Sequence, residues 1–242
     1  PSLSQPTTLS PRSMRRRFSE IRYKAMKKLD ISLYAILDPT RTRGRDLGAM
    51  ADAAARGGAT ILQLRDKISG TRDFVAAART VKTALAGRIP LLINDRVDVA
   101  LAAGADGVHV GREDMRPAEA RRLLGPGAII GITLKNNEDL AGLDPETVDY
   151  GCIGGVFATA SKDNPDQPVG LEGLSRLRIL ARASGLPVGA IAGIDATNAA
   201  ATIAAGADGV AIISALFMDD DVTAATARMR ALVDAALKLR ES

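Results

Sequence analysis

Polar and charged residues in this sequence gather directly after short apolar runs, where a chain leaving a sheet would expose them. Gln63-Leu64-Arg65-Asp66-Lys67 closes one run. The period of two along a strand puts Gln63 and Arg65 on one side, and Lys67 continues that side into the loop. Such groups are costly inside a closed apolar core and useful above one, as donors to a multiply charged anion. The plain alternative is a surface ion-pair cluster around Asp66. Asn94-Asp95 closes another run, and Asp114 follows a third within Gly111-Arg112-Glu113-Asp114-Met115. Two carboxylates on neighbouring strand ends, with no cysteine or histidine pair nearby, suit a hard ion such as Mg2+, whose shell substrate phosphates and water complete. Two ordinary helix caps would give the same spacing.

Further along, Ala158-Thr159-Ala160-Ser161-Lys162 sets hydroxyls at alternate positions before a lysine, a good set of phosphate ligands or a plain solvent loop. The stretch 161–169 holds Pro165 and Pro168 and has the length of a lid. Two later runs end in Ala192-Gly193-Ile194 and Ile213-Ser214-Ala215, where backbone N–H groups could meet a phosphate. His109 is the only histidine and lies between Val108 and Val110, a setting that favours a structural role. Cys152 sits in a glycine-rich apolar run and reads as packed. No Ser–His–Asp arrangement, Walker loop or dinucleotide fingerprint is legible. Anion ligands and carboxylates without an acid–base pair suit chemistry in which diphosphate leaves.

The elements that must position these groups are eight apolar runs: 33–38, 59–65, 89–95, 107–110, 128–133, 150–157, 187–193 and 209–214. Alanine-rich helical patterns separate them at 47–56, 71–86, 96–104, 117–124, 137–143, 170–184, 196–205 and 222–239. Ser69 or Thr71 suits the N-cap of the second, Pro117 the first turn of the fourth, and Asp195 the N-cap of the seventh. Eight strand–helix units predict an α/β chain folded as a (β/α)8 TIM barrel, with its chemistry at the C-terminal strand ends. The segments 101–110 (LAAGADGVHV) and 203–212 (IAAGADGVAI) repeat one helix–turn–strand unit, which speaks of architecture only.

With 242 residues, the chain suits one barrel domain over 31–242. Apolar residues make up 46% and aromatics 3%, so the core must be built of Ala, Val, Ile and Leu. The net charge of +4 is concentrated in a basic extension. Residues 1–30 carry eight basic side chains against Glu20 and Asp30, leaving the remainder at −2. That remainder has no broad cationic excess for a nucleic acid. The extension reads as disordered to about residue 12, with a helix over 15–28; a transit peptide is the other reading. No apolar run approaches the ~20 residues of a membrane span. A single cysteine allows no intrachain disulfide, and a reducing cytoplasm is expected. A homo-oligomer is left open.

In this order, the segments resemble the thiamine-phosphate synthase family over about 33–236. The resemblance rests on Gln63-Leu64-Arg65 with Lys67, Asn94-Asp95, GVHVGRED at 107–114, Gly131-Ile132-Thr133, Thr159 to Lys162, and GADGVAIIS at 206–214. It implies coupling of a hydroxymethylpyrimidine diphosphate to a hydroxyethylthiazole phosphate, both small phosphorylated substrates. The products would be thiamine phosphate and diphosphate, with Mg2+ required. By the same resemblance, Gln63, Arg65, Lys67, Asn94, Thr133 and Lys162 would hold the pyrimidine diphosphate, and Asp95 and Asp114 would bind Mg2+. Thr159, Ala160, Ser161, Gly193, Ile213 and Ser214 would receive the thiazole phosphate. Arg65, Lys67 and Lys162 would offset the charge growing on the leaving group.

The sequence departs from the family pattern at four places. Arg112 stands where Gln is usual, Thr133 where Ser is common, Ala158-Thr159-Ala160-Ser161-Lys162 where Pro-Thr-x-Thr-Lys is common, and Ala192-Gly193 where Gly-Gly is usual. Two rivals carry the same fold: a regulatory relative that aromatises a thiazole carboxylate phosphate, and a non-enzymatic phospholigand-binding barrel. The first needs an acid–base residue; the second has no use for Asp95 and Asp114 together with three cations.

Overall fold

Strand alternation sorts the small aliphatic residues onto two sides, and the barrel follows from that sorting. The computed structural model describes residues 29–141, 143–159 and 167–241. The expectations for residues 1–28, and for Ala160, Ser161 and Lys162, lie outside them. Eight parallel strands close in sequence order. They are β1 (Leu33–Leu37), β2 (Ile61–Leu64), β3 (Leu91–Asn94), β4 (Gly107–Val110), β5 (Ile129–Leu134), β6 (Tyr150–Ile153), β7 (Val188–Ile191) and β8 (Val210–Ile212). The ladder is shorter than the apolar runs at most ends. Asp38, Arg65 and Asp95 all fall just beyond it, in the turns at the C-terminal mouth. β6 stops at Ile153 rather than running to 157, because Gly154 and Gly155 leave the ladder and Gly155 takes a positive φ of 70°.

The helices are α1 (Leu47–Arg56), α2 (Thr71–Leu85), α3 (Val97–Ala103), α4 (Pro117–Leu124), α5 (Asn137–Ala141), α6 (Gly170–Ala181), α7 (Ala199–Ala204), α8 (Ser214–Phe217) and α9 (Val222–Glu241). Two expected caps are corrected. α2 is preceded by Gly70, with no side-chain cap, so neither Ser69 nor Thr71 fills that role. α7 starts at Ala199 after Asn198, because Asp195 spends its carboxylate on a tighter turn, accepting from the N–H and hydroxyl of Thr197. Two short elements were not anticipated, α8 and a 3-10 turn at Pro39–Arg41, and the helix expected over 170–184 ends at Ala181 and gives way to a second 3-10 turn, Arg182–Ser184.

Leu33, Ala35 and Leu37 of β1 face outward, into the layer shared with the helices. Tyr34 and Ile36 face inward, with Ile61, Leu92, Tyr150, Cys152 and Ala211. The interior is thus filled by side chains, with two tyrosines among them. Gly131 of β5 makes room for one: a Cβ there would overlap the Tyr150 ring. Arg45 ties the β1 loop to the far end of α8. Its guanidinium donates to the carbonyls of Phe217 and Asp219 while its Nε donates to Thr42 O at 3.0 Å. That clamp fixes the rim on which the 3-10 turn and α8 stand.

Candidate active site

The barrel mouth is divided into two adjoining cavities of about 510 and 640 Å3. They share Arg65, Asn94, His109, Thr133, Lys135, Gly154 and Gly155 as a common wall. Gln63, Thr159, Gly193, Ile213 and Ser214 line the first alone; Lys67, Asp95 and Asp114 line the second alone. The described residues expected to hold substrate or metal therefore all line one or other of these cavities.

In the second cavity, charge is locally matched. Lys67 forms an ion pair with Asp95, whose backbone takes a left-handed φ of 61°. The Asp95 N–H donates to His109 O at 2.9 Å, so this turn hangs on β4. Asp114 Oδ2 accepts the Gly111 N–H at 2.7 Å, which folds its loop back over the mouth. Burial, and the Asp95 carboxylate beside it, hold the Asp114 carboxyl above its ordinary range. Two carboxylates held close enough to repel are a donor set that a divalent cation would relieve. Among the described residues no third His, Cys, Asp or Glu joins them, so substrate or water would complete the shell.

Arg65 is not held by Asp66. It pairs with Asp38 at the end of β1, whose side chain is only 2% exposed. Asp38 also accepts from the Thr40 N–H at 2.9 Å and the Thr40 hydroxyl at 2.7 Å. One carboxylate thereby aims Arg65 and builds the 3-10 turn that carries Arg41 to the first cavity. Asp66 accepts from the N–H groups of Ile68 and Ser69 and shapes its own loop, so the surface cluster around Asp66 does not form.

Gln63 was placed above the core, but it lies within it, 2% exposed, where it contributes to the cavity floor. Its desolvation is met by a hydrogen bond from Nε2 to Tyr34 Oη at 2.5 Å. His109 is also buried, and its Nδ1 and Nε2 lie 2.8 Å from Tyr150 Oη and 2.9 Å from Thr133 Oγ1. Opposite, Gly193 has φ 64°, and a Cβ there would overlap Ala158 O and lie 2.7 Å from Phe157 Cβ. Ala192 before it takes φ 93°, in the region that favours glycine.

Sequence reasoning missed Lys135, Arg41 and the two tyrosines. Lys135 had a signal: it lies two residues past Thr133 and so continues the inward side of β5. Arg41 had none, because its place depends on a turn capped by Asp38.

The family model described as thiamine monophosphate synthase matches residues 33–216. The chain is 52% identical over 219 residues to the thiamine-phosphate synthase of Agrobacterium fabrum, covering 89% of this chain and all of that protein. It is 44% identical to the thiamine-phosphate synthase of Albidiferax ferrireducens, over 89% of this chain and 95% of the relative. Its structure is similar to that of thiamine phosphate pyrophosphorylase from Pyrococcus furiosus, with a TM-score of 0.75 and 34% identity. That likeness covers 86% of this chain and 98% of the other. A likeness to tryptophan synthase of Mycobacterium tuberculosis, at 17% identity and a TM-score of 0.64, reflects the barrel alone.

Proposed function

The chain belongs to the thiamine monophosphate synthase family, and from that premise we propose how its two cavities divide the work of the family's reaction. The reaction joins a 4-aminopyrimidine bearing a diphosphooxymethyl arm to hydroxyethylthiazole phosphate, forming a C–N bond and releasing diphosphate. The observation that carries the division is the shared wall: one cavity gathers carboxylates and cations, and the other is lined by Gly193 and Ser214 at the ends of β7 and β8.

The diphosphate takes the second cavity. Asp95 and Asp114 would hold its metal ion, and Mg2+ there would neutralise charge on the departing diphosphate. Arg65 and Lys67 face the same oxygens, and Lys162 follows in the β6 loop sequence. Their cations stabilise charge that grows as the C–O bond breaks, so they act on the transition state more than on the ground state. Asn94, on the shared wall, orients the arm. The pyrimidine ring lies toward Gln63 and Thr133. The thiazole phosphate sits at Gly193, Ile213 and Ser214, with Thr159, Ala160 and Ser161 as further contacts.

The protein's part is alignment: thiazole nitrogen and exocyclic methylene meet across the wall while the diphosphate is held behind it. A dissociative substitution needs no general base. His109, with hydrogen-bond partners at both ring nitrogens, fits a structural role and gives no support to the aromatising reading.

Steady-state kinetics with each precursor varied in turn test this division. Ser214→Ala should raise KM for the thiazole phosphate several-fold, roughly one hydrogen bond's worth, and leave kcat nearly unchanged. Lys67→Ala should depress kcat strongly. The opposite pattern would place the two phosphates the other way round.

A further inference from the structure

A chain of five polar side chains crosses the barrel interior beneath the first cavity. Gln63 Nε2 meets Tyr34 Oη at 2.5 Å, and Tyr34 Oη meets Tyr150 Oη at 2.8 Å. Tyr150 Oη then meets His109 Nδ1 at 2.8 Å, and His109 Nε2 meets Thr133 Oγ1 at 2.9 Å. The members come from β2, β1, β6, β4 and β5. Edge-on ring packing holds the middle in place: the Tyr34 and Tyr150 centroids are 5.8 Å apart at 73°, and Tyr34 meets His109 at 6.2 Å and 70°. Both ends, Gln63 and Thr133, line the first cavity.

Burial pushes both phenols far above the ordinary tyrosine range, so each keeps its single proton. One proton per phenol makes the chain directional. If the Gln63 amide donates to Tyr34, then Tyr34 donates to Tyr150, Tyr150 donates to Nδ1, and Nε2–H donates to Thr133. Gln63 is left with its carbonyl as the acceptor for a ligand, and Thr133 with a hydroxyl to donate. In the structure the Gln63 Nε2 points to Tyr34, and that orientation sets the sense of every bond along the chain. In this sense Gln63 accepts from a ligand while Thr133 donates to it.

We propose that Tyr34, Tyr150 and His109 act as positioning residues that hold Gln63 as an acceptor and Thr133 as a donor, so that the site selects a 4-aminopyrimidine over its 4-oxo counterpart. A 4-aminopyrimidine presents an N–H donor beside a ring-nitrogen acceptor; the 4-oxo form inverts that pair. This deepens the function proposed above and rests on its placement of the pyrimidine at Gln63 and Thr133. Cutting the chain at a tyrosine frees each end to turn alone, which weakens binding and relaxes selection.

The experiment is steady-state kinetics of Tyr34→Phe and Tyr150→Phe, with the 4-amino diphosphate, its 4-oxo analogue and the thiazole phosphate each varied. Each tyrosine variant should raise KM for the aminopyrimidine diphosphate about tenfold, the scale of one lost hydrogen bond. Each should also cut the amino-over-oxo preference in kcat/KM by about tenfold and leave KM for the thiazole phosphate within about twofold. Tyr34→Phe made in a Gln63→Ala background should add little, because Tyr34 acts through Gln63. Thermal unfolding of each variant checks that the barrel is intact; should Tyr150→Phe fail to fold, Tyr34→Phe and its double variant decide alone. The proposal is overturned if the tyrosine variants leave the amino-over-oxo preference intact, if both Michaelis constants rise together, or if Tyr34→Phe has its full effect without Gln63. A wild-type protein that forms no thiamine phosphate would remove the underlying reading as well.

Discussion

At the scale of single residues, the mouth is an arrangement of cations aimed by carboxylates. Asp38 aims Arg65 from beneath, and Asp95 holds Lys67 from the side. Removing a carboxylate therefore does more than remove a charge. Asp38→Ala would strand Arg65, whose side chain is only 15% exposed. We expect a loss of about 3 kcal/mol in urea unfolding, the scale of breaking a buried pair. Turnover should fall as Arg65 loses its aim; an unchanged unfolding midpoint would show that solvent in the cavity supports the guanidinium alone. Asp95→Ala and Asp114→Ala should each lower turnover by at least ~100-fold, the scale of losing a stabiliser of developing charge. Near-wild-type rates in both would remove the metal assignment.

At the scale of elements, function depends on what happens just after each strand stops. The β7 end shows this most clearly. Ala192 sits at φ 93°, a conformation that costs a non-glycine residue energy. Ala192→Gly should relieve it and stabilise the fold by about 0.5–1 kcal/mol, after the extra entropy of the unfolded chain is counted. A lower melting temperature in that variant would contradict the strain. Gly193→Ala is a different matter, since its Cβ would meet the Ala158 carbonyl. It deforms the β6 loop before it blocks any backbone donor, which makes Ser214 the cleaner probe of the thiazole phosphate.

The element scale also separates what the amino-acid sequence discloses from what it hides. Eight apolar runs with polar ends were legible, because strand alternation and burial act over a few residues. The surface ion-pair cluster around Asp66 was the reading that failed, because the partner of Arg65 lies 27 positions upstream, just past the end of β1. Tyr34 and Tyr150 read as ordinary apolar content of LYAIL and YGCI. Only barrel closure brings their hydroxyls to 2.8 Å. Asp195 looked like a helix cap and caps a turn instead, a choice made by local geometry among a few residues.

At the scale of the whole molecule, the barrel interior reports on global integrity. Cys152 faces inward on β6 and is 1% exposed. Burial pushes its thiol up to about 12, so almost no thiolate exists at pH 8. Alkylation by iodoacetamide should proceed at the rate of unfolding, and mass spectrometry of the native protein should show an unmodified chain over hours. Rapid labelling would mean that the barrel wall opens locally at β6. No helix among the described residues is long and apolar enough to cross a membrane. The chain's basic excess lies within residues 1–30, so its barrel carries a slight negative charge. The cations at the mouth are thus local features set against that background, where they act on a bound anion at short range.

The most direct measurement of the central claim follows diphosphate and thiamine phosphate together in one reaction of the purified protein with both precursors. The account predicts equal amounts of the two products, formed only when both precursors and Mg2+ are present, and suppressed by a chelator. Diphosphate released without matching thiamine phosphate, or product formed equally well in the chelator, would contradict it.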